Sequence, residues 1–124
     1  MIGYAQQPSK HPIENSLETC LDRNQSTAGM VECIDKAYAG WDRELNRCYT
    51  ELMKKLCQDA GKKLKDAQIQ WLKFRDLEFG VLDSIYSGLE GTMYIPMRAD
   101  SSMEIVKKRA LELKSLLELL KESQ

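Results

Sequence analysis

The sequence predicts an all-α domain built as a long antiparallel helical hairpin with a third, C-terminal helix packed against it. Apolar residues recur every three or four positions in three long stretches, which is the period of an amphipathic helix. The first two stretches are separated by only a few residues around Gly61, and so short a connection makes consecutive helices antiparallel neighbours. The chain of 124 residues is long enough for one domain with one core.

The N-terminal residues 1–13 combine two prolines with polar residues and show no periodicity, so we interpret them as a flexible leader. Residues 14–124 then form the single domain, which begins with a short helical turn over residues 14–21. The first long helix is predicted over residues 28–57, after the capping groups of Gln25, Ser26 and Thr27. Gly61 is predicted to end it as a left-handed cap.

The second helix is predicted over residues 62–86, with an inner face that includes Leu64, Trp71, Phe74, Val81 or Leu82, and Ile85. In the hairpin, residues whose numbers sum to about 120 lie opposite one another, so that Arg75 comes within a turn of Asp42. Buried polar groups must satisfy each other, and Arg is the preferred partner of a carboxylate. We therefore expect a structural network rather than a catalytic group. It comprises Asp42, Asn46, Gln68, Arg75 and Asp76.

The stretch 87–100 contains two glycines and one proline, which interrupt any helical pattern, although it is apolar for a linker. We interpret it as a loop that packs against the domain. Ser101, followed three residues later by Glu104, is a capping box. It predicts a third helix over residues 102–122.

The four cysteines could form disulfides, bind a metal or pack as apolar groups. They contain no CxxC pair, and the one histidine, His11, lies in the predicted leader, so neither a zinc site nor a cofactor site is expected. In a continuous helix, Cys48 and Cys57 are about 13 Å apart, whereas a disulfide needs Cα atoms within roughly 7 Å. One intrachain bridge is therefore predicted, between Cys20 and Cys33, with four reduced thiols as the alternative. Cys48 is expected in the core.

Composition excludes several classes of function. With 18 basic and 19 acidic side chains, the chain lacks the basic surface of a nucleic-acid-binding protein. It has no apolar run long enough for a membrane span, and residues 1–19 are too polar for a signal peptide, so an exported form would have lost its signal. No nucleophile stands beside a base and no glycine loop is suited to phosphate, which argues against an enzyme.

Two motifs follow Cys33 in the same order as in the pattern of a known family. Cys33 is followed by DRELNRCY, with Asp42, Leu45, Asn46 and Tyr49, and then by LKDAQIQWLKFRD, with Gln68, Trp71, Arg75 and Asp76. This order resembles the bacterial LprI-type lysozyme-inhibitor family from about Cys20 to Leu113. Where that family has two further cysteines, this chain has Phe79 and Met103, which suggests that an apolar contact replaces a disulfide.

The resemblance implies an exported binding protein, periplasmic or secreted, with lysozyme as partner. An envelope interaction module for a different protein, or a stress-related structural protein, is the alternative. Because the lysozyme cleft holds two carboxylates, a protruding 87–100 loop with Tyr94 as anchor and Arg98 as charge is the expected contact. Acidic residues in the first half of the chain would face the basic surface of lysozyme.

Overall fold

The computed structural model describes residues 10–123, and within that range the chain forms four helices and no strand. They are α1 (Pro12–Arg23), α2 (Thr27–Lys55), α3 (Gln58–Ser87) and α4 (Tyr94–Glu122). The predicted all-α class is confirmed. The predicted arrangement of a hairpin plus one further helix is not, because α1 adds a helix and α2 makes its most extensive contact with α4 rather than with α3.

The core lies between α2 and α4. The inward positions of α2 recur at threes and fours, as the sequence predicts, and those of α4 interdigitate with them. Burying such side chains supplies about 1.5–3 kcal/mol each, so this pair of helices carries most of the apolar burial. The most buried core residues are Trp41, Leu45, Cys48, Leu52, Val106, Ala110, Leu113 and Leu117.

The sequence predicted the N-terminal cap of α2 correctly, but not its C-terminal cap. Ser26 caps the N-terminus, since its Oγ accepts a hydrogen bond from the Gly29 amide at 3.0 Å. The prediction that Gly61 caps the C-terminus of α2 was wrong. Leu56 ends the helix by turning to an extended conformation with ψ 146°, which needs no glycine. Gly61 lies inside α3, where an added Cβ would sit 3.6 Å from Cε of Met53.

Helix α1 packs across α2 and is tied to it covalently. The predicted Cys20–Cys33 disulfide is present, with its Cα atoms 5.6 Å apart. The helices approach closely at Gly40, where an added Cβ would lie 3.4 Å from the Ile13 side chain. His11 caps α1, because its Nδ1 accepts from the Ile13 amide at 3.1 Å. Of the predicted leader, residues 1–9 lie outside the described residues. Residues 12 and 13 were wrongly assigned to it, because α1 begins at Pro12.

Helix α4 begins eight residues earlier than predicted. Pro96 is its third residue, and proline is tolerated there because the first amides of a helix have no intrahelical acceptor. Ser101 therefore lies within the helix, and the predicted capping box at Ser101 and Glu104 was wrong. The connection from α3 shrinks to residues 88–93, which turn at Gly91 with φ 117°.

Truncating the α2–α4 core should destabilise the protein strongly. Leu113 is fully buried, with 0% exposure, so Leu113→Ala should lower the free energy of unfolding by about 2–5 kcal/mol through lost burial and a cavity. Leu119, on the same helix, is 61% exposed, and Leu119→Ala should change it by less than about 0.5 kcal/mol. Urea denaturation measures both, and equal losses would contradict the assigned core.

Losing the disulfide should also destabilise the fold. Its closed loop spans 13 residues, and a loop of that size contributes about 3 kcal/mol by restricting the unfolded chain. Cys20→Ser should therefore lower the free energy of unfolding by about 3 kcal/mol, whereas Cys57→Ser, at an exposed free thiol, should not. Unfolding curves recorded without reductant test this, and a Cys20→Ser curve that matches the parent would refute it.

Candidate functional site

The residues of the two sequence motifs meet at a cleft between α2 and α3. This motif cleft has a volume of about 430 Å³. Tyr49 and Trp71 both line this cleft, as do Leu45 and Arg75. The hairpin register predicts that each of these pairs lies close together. Asp76 lies outside it. The motif residues that line the cleft are Asp42, Leu45, Asn46, Tyr49, Gln68, Trp71 and Arg75.

Arg75 does not make the expected pair with Asp42. Its Nη2 donates to Oδ1 of Asp76 at 2.8 Å, and its guanidinium carbon lies 5.7 Å from the ring centres of both Trp71 and Phe79. The neighbouring carboxylate and the two rings therefore hold the guanidinium on α3. No hydrogen bond or ion pair within residues 10–123 joins Arg75 to Asp42 or Asn46, so the expected pairing of Arg75 across the two helices was wrong.

The buried polar contact of α3 is made with α4 instead. Gln68 is 8% exposed, and its Oε1 accepts from Nε of Arg109 at 2.9 Å. Arg109 also pairs with Glu112 at 3.3 Å. Sequence reasoning gave Arg109 no role, because Gln68 was expected to pair within the network between the first two long helices and Arg109 lies 41 positions away on another helix.

A second cavity, here called the tyrosine pocket, has a volume of about 460 Å³. It lies where α2, the end of α3 and the start of α4 converge. Its rings form two tilted pairs, Tyr38 with Phe79 and Tyr86 with Tyr94, each with centres 6.4 Å apart. The residues that define the pocket are Asp35, Tyr38, Phe79, Tyr86, Tyr94 and Arg98. No sequence motif signals it, because three distant segments build it.

The two residues expected on a protruding loop belong to this pocket. Tyr94 is the first residue of α4 and Arg98 lies one turn later. Arg98 is paired with Asp83 of α3, and the Tyr86 hydroxyl shares a hydrogen bond with Ser101 at 3.2 Å. The segment is thus folded back on α3, and the expectation of a projecting 87–100 loop was wrong.

The ionisation of Tyr38, in the wall of the pocket, is set mainly by burial. Burial raises the pKa of Tyr38, with Arg75 opposing the rise and Asp42 adding to it. Its phenol is therefore neutral at neutral pH and can donate a hydrogen bond.

The outer face of α3 carries an apolar stripe, here called the α3 ridge, formed by Phe74, Leu77, Val81 and Ile85. Spacings of three and four put these side chains on one face, and Leu77 is 73% exposed. Phe74 and Ile85 were expected on the inner face, and Val81 was one of two alternatives there with Leu82. They face solvent because α4 rather than α3 covers most of α2. A contiguous exposed apolar patch is typical of an interaction surface.

Two kinds of site are not found in the described part of the chain. Residues 10–123 contain no group of three His, Cys, Asp or Glu side chains arranged to hold a metal ion. Among the same residues, no helix combines the length and apolar character needed to cross a membrane.

Comparison with known proteins places the chain in context. Residues 20–113 match the model of a family described as lysozyme inhibitor LprI. The crystal structure of an uncharacterized protein from Burkholderia thailandensis is similar, with a TM-score of 0.87 and 30% identity. The similarity covers 93% of this chain and 58% of that one, so this chain spans well under two thirds of its length. No curated protein matches.

The Gln68–Arg109 contact should matter more for stability than an exposed amide. Gln68→Ala removes the acceptor of a partly buried guanidinium, so it should lower the free energy of unfolding by about 1.5–3 kcal/mol. Gln70→Ala, two residues away and exposed, should change it by less than about 0.5 kcal/mol. Denaturant midpoints compare the two variants, and a harmless Gln68→Ala would show that this contact does not hold α3.

Proposed function

The chain belongs to the lysozyme inhibitor LprI family, and on that premise we propose that it is an exported bacterial protein that binds lysozyme and inhibits it. The observation that carries the proposal beyond family membership is the α3 ridge. It offers a partner an apolar surface on a helix whose other side makes the contacts to α2 and α4.

Export is supported by the chemistry of the cysteines. Cys20 and Cys33 are joined by a disulfide, and structural disulfides persist in oxidising compartments such as the periplasm or the outside of the cell. The bond also ties α1 to α2, so a reducing compartment would weaken the fold. A periplasmic or secreted location follows as part of the proposal.

Apolar contact, rather than long-range attraction, is the proposed source of affinity. The formal net charge is only −1, which gives little steering toward a basic lysozyme. Part of the acidic run of the first half is compensated within the fold. Glu14 pairs with Lys107, Glu32 with Lys36, and Glu44 with Arg47. The Arg47 hydrogen bond also lowers the pKa of Glu44.

The proposed contact surface therefore centres on Leu77 and Val81, the middle of the α3 ridge. Large apolar side chains that become fully desolvated dominate the binding energy of most interfaces. Tyr94 and Arg98 remain proposed partner contacts, now at the rim of the tyrosine pocket, on the first turns of α4.

We propose binding without turnover. Three of the five polar motif residues that could suggest catalysis are engaged structurally, since Arg75 pairs with Asp76 and Gln68 with Arg109. Inhibition by occupying a surface of the target needs only complementary contact.

A cell-wall lysis assay tests the proposal. Purified protein should slow lysis by lysozyme in a dose-dependent way. Leu77→Asp, which puts a charge in the middle of the ridge, should weaken inhibition at least about tenfold. Leu119→Asp is the matched control, because Leu119 is also exposed but lies near the end of α4, and it should inhibit like the parent.

Unchanged lysis at micromolar protein would reject lysozyme inhibition and favour the alternative, an envelope module for a different protein partner. Equal loss of inhibition in the two variants would mean that the α3 ridge is not the specific contact surface. Circular dichroism of both variants confirms that each is folded before it is assayed.

A further inference from the structure

The tyrosine pocket has the size and lining of a built binding site. Its volume of about 460 Å³ lies within the range of about 300–1,000 Å³ typical of ligand pockets. Such sites combine an apolar wall with a few polar groups that fix the orientation of the ligand. Here the wall is aromatic, and the charged groups are Asp35 and Arg98.

The aromatic wall is held in place by contacts on every side. Tyr86 is fixed by its hydrogen bond to Ser101, and Tyr94 packs against the turn at Gly91, where an added Cβ would lie 3.8 Å from its ring. Tyr38 is seated against Phe79. Ring faces carry negative charge density, so a cluster of rings attracts a cation that enters between them.

The charges of the lining leave a negative excess. Arg98 is already paired with Asp83, so it is not free to receive an anion. Arg75, whose guanidinium carbon lies 5.7 Å from the centre of the Phe79 ring, is paired in the same way with Asp76. Asp35 forms no ion pair with any residue between 10 and 123, and it lies at the exposed edge of the pocket. The uncompensated charge that faces a ligand is therefore a carboxylate.

We propose that the tyrosine pocket binds a basic side chain, arginine in the first place, carried by a partner protein. The apolar stem lies against the rings of Tyr38, Phe79 and Tyr94, and the head pairs with Asp35. Arginine suits the pocket better than lysine because its planar guanidinium stacks on aromatic rings and pairs with a carboxylate through two donors.

The position of the pocket favours a protein as the carrier of that side chain. Phe79 points away from the ridge, since residues two apart lie on opposite sides of a helix. Tyr94 and Arg98, the other proposed partner contacts, line the pocket, so a partner that meets the first turns of α4 lies at the pocket mouth. The inference that a partner protein carries the basic side chain rests on the proposed function, whereas the preference for a cation follows from the pocket alone. The two are therefore tested separately.

The test of the pocket uses peptides and needs no lysozyme. The full chain, labelled with ¹⁵N, is titrated with acetyl-Gly-Arg-Gly-amide and with the same peptide carrying citrulline, the neutral isostere of arginine. The arginine peptide should bind at least about fivefold more tightly. Its chemical-shift changes should cluster at Asp35, Tyr38 and the first turns of α4.

The second part of the experiment replaces the Asp35 carboxylate. Asp35→Asn should weaken binding of the arginine peptide and leave that of the citrulline peptide unchanged, so that the preference for arginine falls to the part that the rings supply. Asp59→Asn, at an exposed residue of α3 near its start, is the matched control and should bind like the parent. An unchanged thermal midpoint shows that both variants are folded.

The outcomes separate the two proposals. Equal affinity for the two peptides, shift changes away from the pocket, or an Asp35→Asn variant that binds like the parent would each overturn the arginine site, even if lysozyme were inhibited. Selective arginine binding without lysozyme inhibition would keep the site and reject the proposed function.

Discussion

The burial of one face of α2 against α4 is the constraint on which the rest of the structure depends. Trp41, Leu45 and Leu52 on α2 and Val106, Leu113 and Leu117 on α4 are nearly inaccessible to solvent. Since α4 takes this face, α3 is left at the margin. Over its 30 residues, only Gly61 and Gln68 are buried. The apolar residues that α3 carries in excess therefore face solvent, and they form the ridge.

Polar contacts position the remaining helices on that pair. Helix α3 is joined to α4 by Gln68 with Arg109, Asp83 with Arg98, and the hydroxyl groups of Tyr86 and Ser101. Helix α1 is joined by the disulfide and by Glu14 with Lys107 at 3.3 Å. The His11 ring, 4.6 Å from that of Trp41, adds a contact at its start. These contacts fix which face of α3 points outward, and so they prepare the proposed binding surface.

Local physics was enough to predict part of this structure. The period of the apolar residues predicts the helical class and the bounds of α2 to within two residues, and the rise per residue restricts the disulfide to Cys20 and Cys33. Both depend on distances along a single helix. The two motifs also predict which residues share a cleft, because a short connection sets the register of α2 and α3.

The remaining features depend on which helices, distant in sequence, pack against each other. The spacing of apolar residues along one helix does not contain that information. An apolar stripe identifies the face that needs cover, but not the helix that covers it, so Phe74 and Ile85 were expected inside and lie outside. Arg109 could not be assigned to Gln68 for the same reason. The start of α4 was mispredicted for a local reason. A proline usually indicates the end of a helix, but Pro96 fits in the first turn of α4. The tyrosine pocket exists only because the packing of the helices brings three segments together.

The central claim is that α3 is a loosely buried helix whose outer face receives the partner. Hydrogen–deuterium exchange of the protein with and without lysozyme tests it most directly. We expect faster exchange in α3 than in α2 and α4 of the free protein, and slower exchange over residues 74–93 once lysozyme is added. Protection confined to α1 or to the α2–α4 pair, with residues 74–93 unchanged, would contradict it.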